Sequence, residues 1–178
     1  NLIASMVLTI TILFYVIVYT IWLKRKTTQN IVIGGAAGAF PPIIGWSIAT
    51  GEINVEPIIL FLIIFFWTPS HFWALSLCRS EDYKKANIPM LPIISGIKTT
   101  KKNILAYSII LLPFVLAPYF LGYNGLLYLV ISTAISLYYI FLCFKLLMEN
   151  NKTQEEKIAK NIFGYSILYL FIIFVTIL

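Results

Sequence analysis

Between Lys102 and Lys145 the chain runs for 42 residues, Asn103–Phe144, without one charged side chain. A helix needs about 20 apolar residues to cross the hydrocarbon of a bilayer, so this stretch holds two crossings. Gly122-Tyr123-Asn124-Gly125 sits between them, and its Gly and Asn residues suit a tight turn. Uncharged runs of spanning length recur at Asn1–Leu23, Thr27–Gly51 and Pro57–Cys78, and Asn161–Leu178 makes a sixth. The expected fold is therefore an all-α, polytopic transmembrane bundle of six helices in a single domain, residues 1–178. The strands of a β-barrel would need alternating apolar and polar residues, which the chain lacks.

Composition agrees. The chain is 60% apolar and 11% charged, with mean hydropathy +0.91, whereas a soluble domain is nearer half apolar and a quarter charged. This excludes a soluble globular protein, a disordered chain and a collagen-like one. The formal net charge of +6 would suggest nucleic acid in a soluble protein; here it records orientation, and no nucleic-acid partner is expected.

Lys24, Arg25 and Lys26 follow the first span. Arg79, Lys84, Lys85, Lys98, Lys101 and Lys102 follow the third, and Lys145, Lys152, Lys157 and Lys160 follow the fifth. The other connections and the C-terminus have none, so all 13 basic residues fall on one side if six helices alternate. Five acids accompany them, leaving that side at +8 and the other, with Glu52 and Glu56, at −2. The positive-inside rule makes the basic side cytoplasmic, or the matrix side in a mitochondrion. The protein is expected in the bacterial inner membrane or the mitochondrial inner membrane, with its active side facing that compartment.

Asn1 opens directly inside an apolar run, with no basic segment before it and no small-residue cleavage site after it, unlike a signal peptide. The expectation is that a longer protein supplies residues ahead of Asn1. Cys78 and Cys143 form neither a disulfide framework nor a C-x-x-C metal motif.

His71, the one histidine, lies in Trp67-Thr68-Pro69-Ser70-His71-Phe72-Trp73-Ala74-Leu75, seven residues before the end of the third span at Cys78. That places it about 10 Å from the span's end. An imidazole at such depth is costly unless paired, which makes it a functional candidate. If the helix continued past Cys78, positions 71, 78 and 82 would share one face, with His71 and Asp82 about 16 Å apart along the axis. That is too far for one metal ion but suits two ends of an elongated substrate.

Asp82 with Glu81 could hold Mg²⁺, which usually takes one or two carboxylates plus substrate phosphate. Arg79, Lys84 and Lys85 could neutralise phosphate. A basic, Mg²⁺-capable mouth above an apolar bundle fits a diphosphate head with a hydrocarbon tail. In the second span, Gly34 and Gly38 have the spacing for close helix approach, and Pro41-Pro42 should kink the helix. Pro89 and Pro92 should break any helix continuing from the third span and tuck Met90 and Leu91 near the interface.

Three stretches occur in order: Gly38-Ala39-Phe40-Pro41-Pro42-Ile43-Ile44-Gly45-Trp46, Trp67–Leu75, and Asp82-Tyr83-Lys84-Lys85-Ala86-Asn87-Ile88-Pro89-Met90-Leu91-Pro92. With Tyr19-Thr20-Ile21-Trp22-Leu23-Lys24-Arg25 ahead of them, they resemble the protohaem IX farnesyltransferase (haem o synthase) family of UbiA-type intramembrane prenyltransferases. The resemblance runs over nearly the whole chain. It implies nine helices in the complete protein, of which these six correspond to the fourth through ninth. It also implies a first Asp-rich motif, N-x-x-x-D-x-x-x-D, that falls outside this sequence, so that the 178 residues alone would be inactive.

The implied reaction moves a farnesyl group from farnesyl diphosphate to a vinyl group of haem b, with water added, giving haem o. The resemblance implies Mg²⁺ at Asp82, with Glu81 beside it. Diphosphate would be neutralised by Arg79, Lys85 and Lys24, with Arg25, Lys84 and Tyr83 as further substrate-binding residues. His71 would contact haem, as an iron ligand, and Trp67 is a further substrate-binding residue. Haem a synthase or oxidase assembly factors are the protein partners it suggests. Ser70 stands where many members have proline, and Asn87 where many have glycine.

Two other functions fit parts of the pattern. A quinone-precursor ring could replace haem as acceptor within the same fold. A six-helix transporter could use the broken second helix and His71 as a midplane site, although that would call for more ionisable groups inside the spans.

Overall fold

The computed structural model describes residues 1–177. There is no strand among the described residues, and six helices are long and apolar enough to cross a bilayer. Helix α1 (Leu2–Leu13) runs directly into a π-helix, Phe14–Leu23, so the first span is not the uniform helix its apolarity suggests. In the wider turns Thr20 Oγ1 donates to the Tyr15 carbonyl at 2.8 Å and Lys24 N to Tyr19 O at 2.7 Å, each reaching five residues back.

The second span divides into α2 (Asn30–Gly38) and α3 (Pro41–Thr50). Pro41 and Pro42 cannot donate to the preceding turn, but the first positions of a new helix need no such donor. The expected kink is therefore a complete break, and Pro41 starts α3. The third span, α4 (Val55–Cys78), continues through Pro69 and stops at Cys78. Short helices α5 (Ser80–Lys85) and α6 (Leu91–Ile94) follow, and Met90 and Leu91 between and within them are 0% and 3% exposed, as the proline pair suggested.

Helices α7 (Ile97–Phe120), α8 (Leu126–Met148) and α9 (Lys152–Ile177) complete the chain. Both α7 and α9 begin well ahead of Asn103 and Asn161, where the apolar runs start. Lys, Glu and Gln are good helix formers in water, and Asn151 Oδ1 caps α9 by accepting from Thr153 N at 3.0 Å. These two helices thus carry charged turns beyond the apolar segments.

Helices α4, α7, α8 and α9 form a four-helix bundle in which α4 and α8 each pack on both α7 and α9. Ile63, Trp73, Ile104, Leu111, Tyr139 and Ile162 are among its fully buried side chains. In lipid, association relies on close packing and on polar pairs between helices, and both are present. Ser70 Oγ and Tyr139 OH lie 2.9 Å apart, Ser136 Oγ and Tyr169 OH 3.0 Å, and Tyr128 OH donates to the Val115 carbonyl at 2.6 Å.

Helices α2 and α3 lie along α4, with α1 against α3. The close approach is made by adjacent glycines rather than by the Gly34–Gly38 spacing. A Cβ on Gly34 would come 2.6 Å from the Tyr19 ring and one on Gly35 2.9 Å from Thr68 Cγ2, while Gly38 has nothing within 4 Å.

The ends of the bundle bear out the alternation. Arg79 and Asp82 of the third connection line the same cavity as Lys152 and Glu155 of α9. Lys101 Nζ donates to Glu155 Oε2 and to the Glu149 carbonyl, both at 2.6 Å. At the opposite end Glu56, Tyr123, Asn124 and Ile177 surround a second cavity. The third and fifth connections, both basic, therefore share one end, and the lysine-free second and fourth the other.

Candidate active site

His71 is 7% exposed on α4. Its Nδ1 lies 2.6 Å from Ser166 Oγ of α9. Trp67 stacks on one side of the imidazole with centroids 4.3 Å apart, Phe163 stacks on it at 4.5 Å, and Phe72 meets it edge-on at 5.1 Å. The Trp67 indole is itself anchored, donating from Nε1 to the Ser166 carbonyl at 2.9 Å. Ser70 Oγ donates to the Trp67 carbonyl at 3.0 Å and lies 2.9 Å from Tyr139 OH. The intramembrane histidine thus has the partner its depth demands, with its ring plane and azimuth fixed by two helices.

Next to this cluster is a cleft of about 330 Å³ between the first span, α2 and α4. Tyr15, Tyr19, Gly34, Gly38, Trp67 and Phe72 are among its walls. It is a largely apolar, aromatic slot, and Trp67 is shared between it and the His71 cluster.

The charged mouth lies beyond the end of α4. Arg79 leaves the helical path at φ −121° and ψ 25°, and α5 starts in a new direction. The single face expected for His71, Cys78 and Asp82 is therefore broken at Arg79, and Asp82 belongs to a separate helix. Arg79 Nη1 lies 3.3 Å from Asp82 Oδ2, with both side chains about two-thirds exposed, a pair worth at most about 1 kcal/mol. Glu81 and Asp82 face a cavity of about 240 Å³ with Arg79, Lys152 and Glu155. Glu81 also lines an adjoining hollow of about 300 Å³ with Lys84, Pro92 and Ile93.

Lys85 is exposed on α5. Tyr83 is half-buried, and burial pushes its phenol above the ordinary 10.0, opposed by Arg79 and reinforced by the Asp82 carboxylate. It is a neutral hydroxyl donor at cellular pH. Lys24, at the end of the first span, holds its ammonium 5.9 Å from the Tyr19 ring centroid, which ties it to the aromatic slot. Arg25 beside it is exposed.

Mg²⁺ coordination can be tested against these donors. Among the described residues no three His, Cys, Asp or Glu side chains gather closely enough to hold a metal ion. Asp82 is nevertheless exposed and monodentate toward Arg79 alone, so one carboxylate oxygen is available. One carboxylate with phosphate oxygens is a common Mg²⁺ arrangement, and the donor set fits that role and no larger one.

Ser166, Phe163 and Tyr139 were not singled out by sequence. A buried histidine announces that it needs a partner, but nothing in a uniform apolar helix says which serine supplies it. Lys101 and Glu155 were likewise missed as a pair, since both read as ordinary loop charges.

A buried imidazole, an aromatic slot and a cationic mouth with one available carboxylate are all arranged along α4 of a helical bundle. The chain matches the UbiA prenyltransferase family over residues 1–172, and it belongs to that family. It is 62% identical, over all 178 residues, to the protoheme IX farnesyltransferase of Pelagibacter ubique, covering 59% of that relative. It is 54% identical over 174 residues to the protein of that name from Parvibaculum lavamentivorans, covering 55% of it. To that from Bradyrhizobium diazoefficiens it is 49% identical over 178 residues, covering 57%. The chain therefore spans somewhat more than half the length of the curated relatives it matches. No solved structure is a significant match.

Proposed function

We propose that the protein containing this chain transfers a farnesyl group from farnesyl diphosphate to a vinyl group of haem b (protohaem IX), with addition of water, to form haem o. The observation that carries this is the identity of 62% across the whole chain with a relative bearing the name protoheme IX farnesyltransferase. The geometry supports it: one helix, α4, carries an imidazole within the bilayer and ends beside a cationic, carboxylate-bearing mouth.

The roles follow from position. Arg79, Lys84 and Lys85, with Lys24 and Arg25 at the neighbouring helix end, neutralise the diphosphate as its bond to the allylic carbon breaks. Tyr83 donates a hydrogen bond to a phosphate oxygen. Asp82, with Glu81 beside it, holds Mg²⁺, which when bound screens the diphosphate charge. The slot beside Trp67 keeps the hydrocarbon away from water that would quench an allylic cation. His71 contacts the haem, and Trp67 packs against the same substrate.

The remaining carboxylates of the Mg²⁺ site come from outside the 178 residues, within the same prenyltransferase domain, so these residues alone are inactive. The active face is the cytoplasmic side of a bacterial inner membrane, or the matrix side of a mitochondrial one, in keeping with the gathering of Lys and Arg at that end. Haem a synthase or oxidase assembly factors are the protein partners to which the product would pass.

The test is product mass. The full-length protein in lipid vesicles, given farnesyl diphosphate and Mg²⁺, should convert haem b to a product heavier by one farnesyl group and one hydroxyl. The 178-residue chain should not, and chelation with EDTA should stop turnover. Product from a quinone-precursor phenol, with none from haem b, would assign the acceptor to the quinone class instead.

A further inference from the structure

We infer that Ser166 is a positioning residue that holds His71 as the Nδ1–H tautomer, so that Nε2 presents its lone pair to an electron-poor partner, the iron of a porphyrin. The choice of iron rests on the haem reaction proposed above; the tautomer rests on hydrogen-bond accounting alone.

A serine hydroxyl has one proton to give and two lone pairs to accept with. Ser166 Oγ lies 2.6 Å from the Phe163 carbonyl oxygen of its own helix and 2.6 Å from His71 Nδ1. A carbonyl oxygen has no proton, so the short contact to Phe163 is attractive only if the serine donates it. That uses the hydroxyl's single proton. The second contact must then be donated by the imidazole, which places the proton of neutral His71 on Nδ1 and leaves Nε2 bare.

The rest of the cluster prevents the accounting from being undone by rotation. The imidazole is stacked against Trp67 and Phe163 at 4.3 and 4.5 Å. The Trp67 indole donates to the carbonyl of the same Ser166 at 2.9 Å. Flipping the ring or turning the serine would break a bond in a setting with little water to replace it.

Nε2 has no hydrogen-bond partner among the described residues. It is also not sealed: the fully enclosed, unpartnered side-chain atoms are Asn30 Oδ1, Trp46 Nε1 and Trp73 Nε1. A histidine whose Nδ1–H is held by a protein oxygen while Nε2 stays open is the arrangement by which proteins orient imidazole ligands toward metals. Helix α9 thus contributes to the site through a residue that itself touches no substrate.

The experiment uses the full-length protein in lipid nanodiscs, labelled with ¹⁵N-histidine, with His71→Gln identifying the His71 resonances. At neutral pH and without haem, the wild type should show a protonated Nδ1 and a bare Nε2. Ser166→Thr, which keeps the hydroxyl, should retain that pattern. Ser166→Ala should move the proton toward Nε2. Ferric haem should then give an imidazole-ligated Soret spectrum in wild type and Ser166→Thr, with binding weakened roughly 10-fold in Ser166→Ala.

An Nε2–H tautomer in the wild type, or a tautomer indifferent to Ser166→Ala, would overturn the positioning role. A tautomer that follows Ser166, combined with haem spectra that ignore His71→Gln, would overturn the iron contact and leave the hydrogen-bond assignment intact. The two failures are thereby separated.

Discussion

Lys101 Nζ lies 2.6 Å from Glu155 Oε2, with the two side chains only 6% and 13% exposed, at the end of the bundle where the basic connections gather. The same ammonium donates to the Glu149 carbonyl, so one lysine on α7 ties down both the end of α8 and the start of α9. Neither group faces the bilayer core; both sit in the turns that α7 and α9 extend beyond their apolar segments.

Glu155→Gln leaves that ammonium withdrawn from water with neutral acceptors only and no counter-charge. Breaking a buried pair by removing one partner costs about 3 kcal/mol, and Lys101→Ala should cost a similar amount. The double replacement Lys101→Met, Glu155→Gln should recover a substantial part. Reversible unfolding in mixed micelles measures all three, and additive losses in the double variant would mean the pair is not coupled.

The glycines of α2 should separate by position. At Gly35 an added methyl meets Thr68 Cγ2 at 2.9 Å and Thr68 Cβ at 3.1 Å, atoms close to a helix backbone that cannot easily retreat. Gly35→Ala is expected to destabilise by about 1–3 kcal/mol through overpacking. Gly38→Ala meets nothing within 4 Å and should be neutral or stabilising by up to about 1 kcal/mol from helix propensity. Thermal denaturation of the two variants side by side gives the comparison.

Asn87 has φ 53°, the one left-handed residue other than glycine among those described. Asparagine tolerates this conformation, while other side chains with a Cβ pay about 1–2 kcal/mol for it. Asn87→Gly should therefore fold as well as the wild type, and Asn87→Val should lower the unfolding midpoint and loosen the turn between α5 and Met90. Equal stability of the two variants would show that the turn relaxes without cost.

Asp82→Asn isolates the charge of the mouth from its shape. Losing the exposed pair with Arg79 should change stability by less than about 1 kcal/mol. Turnover should fall by roughly 10²-fold, the scale on which a single electrostatic stabiliser acts, with the midpoint for Mg²⁺ shifted upward. Unchanged Mg²⁺ dependence in a protein of normal stability would remove Asp82 from the metal's ligands.

Spans and sidedness were legible because both depend on sums along the chain. Apolarity over twenty residues and the alternation of Lys and Arg between connections survive any local irregularity. The proline pair at 41–42 announced a disruption of the second span, although only the structure showed that the helix stops and restarts. Asn87 could be singled out only through its likeness to a family that often has glycine there, and its positive φ supplies the reason.

What escaped the sequence is pairwise or directional. Ser166 is one of several serines in apolar helices, and its selection by His71 depends on how α4 and α9 are rotated against each other. The placement of Asp82 on the face of His71 failed for a local cause, because extrapolating 100° per residue assumes an unbroken helix and Arg79 breaks it. The π-helical second half of the first span has no counterpart in apolar periodicity, which looks the same for either helix type.

The stop at Cys78 also divides responsibility between two neighbouring parts. His71 takes its orientation from α9, through Ser166 and Phe163, whereas Asp82 takes its from a six-residue helix hinged at Arg79. The polar mouth and the imidazole are thus oriented by different elements. On the function proposed above, insertions or deletions between Arg79 and Met90 would be felt first at the proposed diphosphate end. Sequence change in the short helix can therefore alter the charged mouth while the packing around His71 keeps its shape.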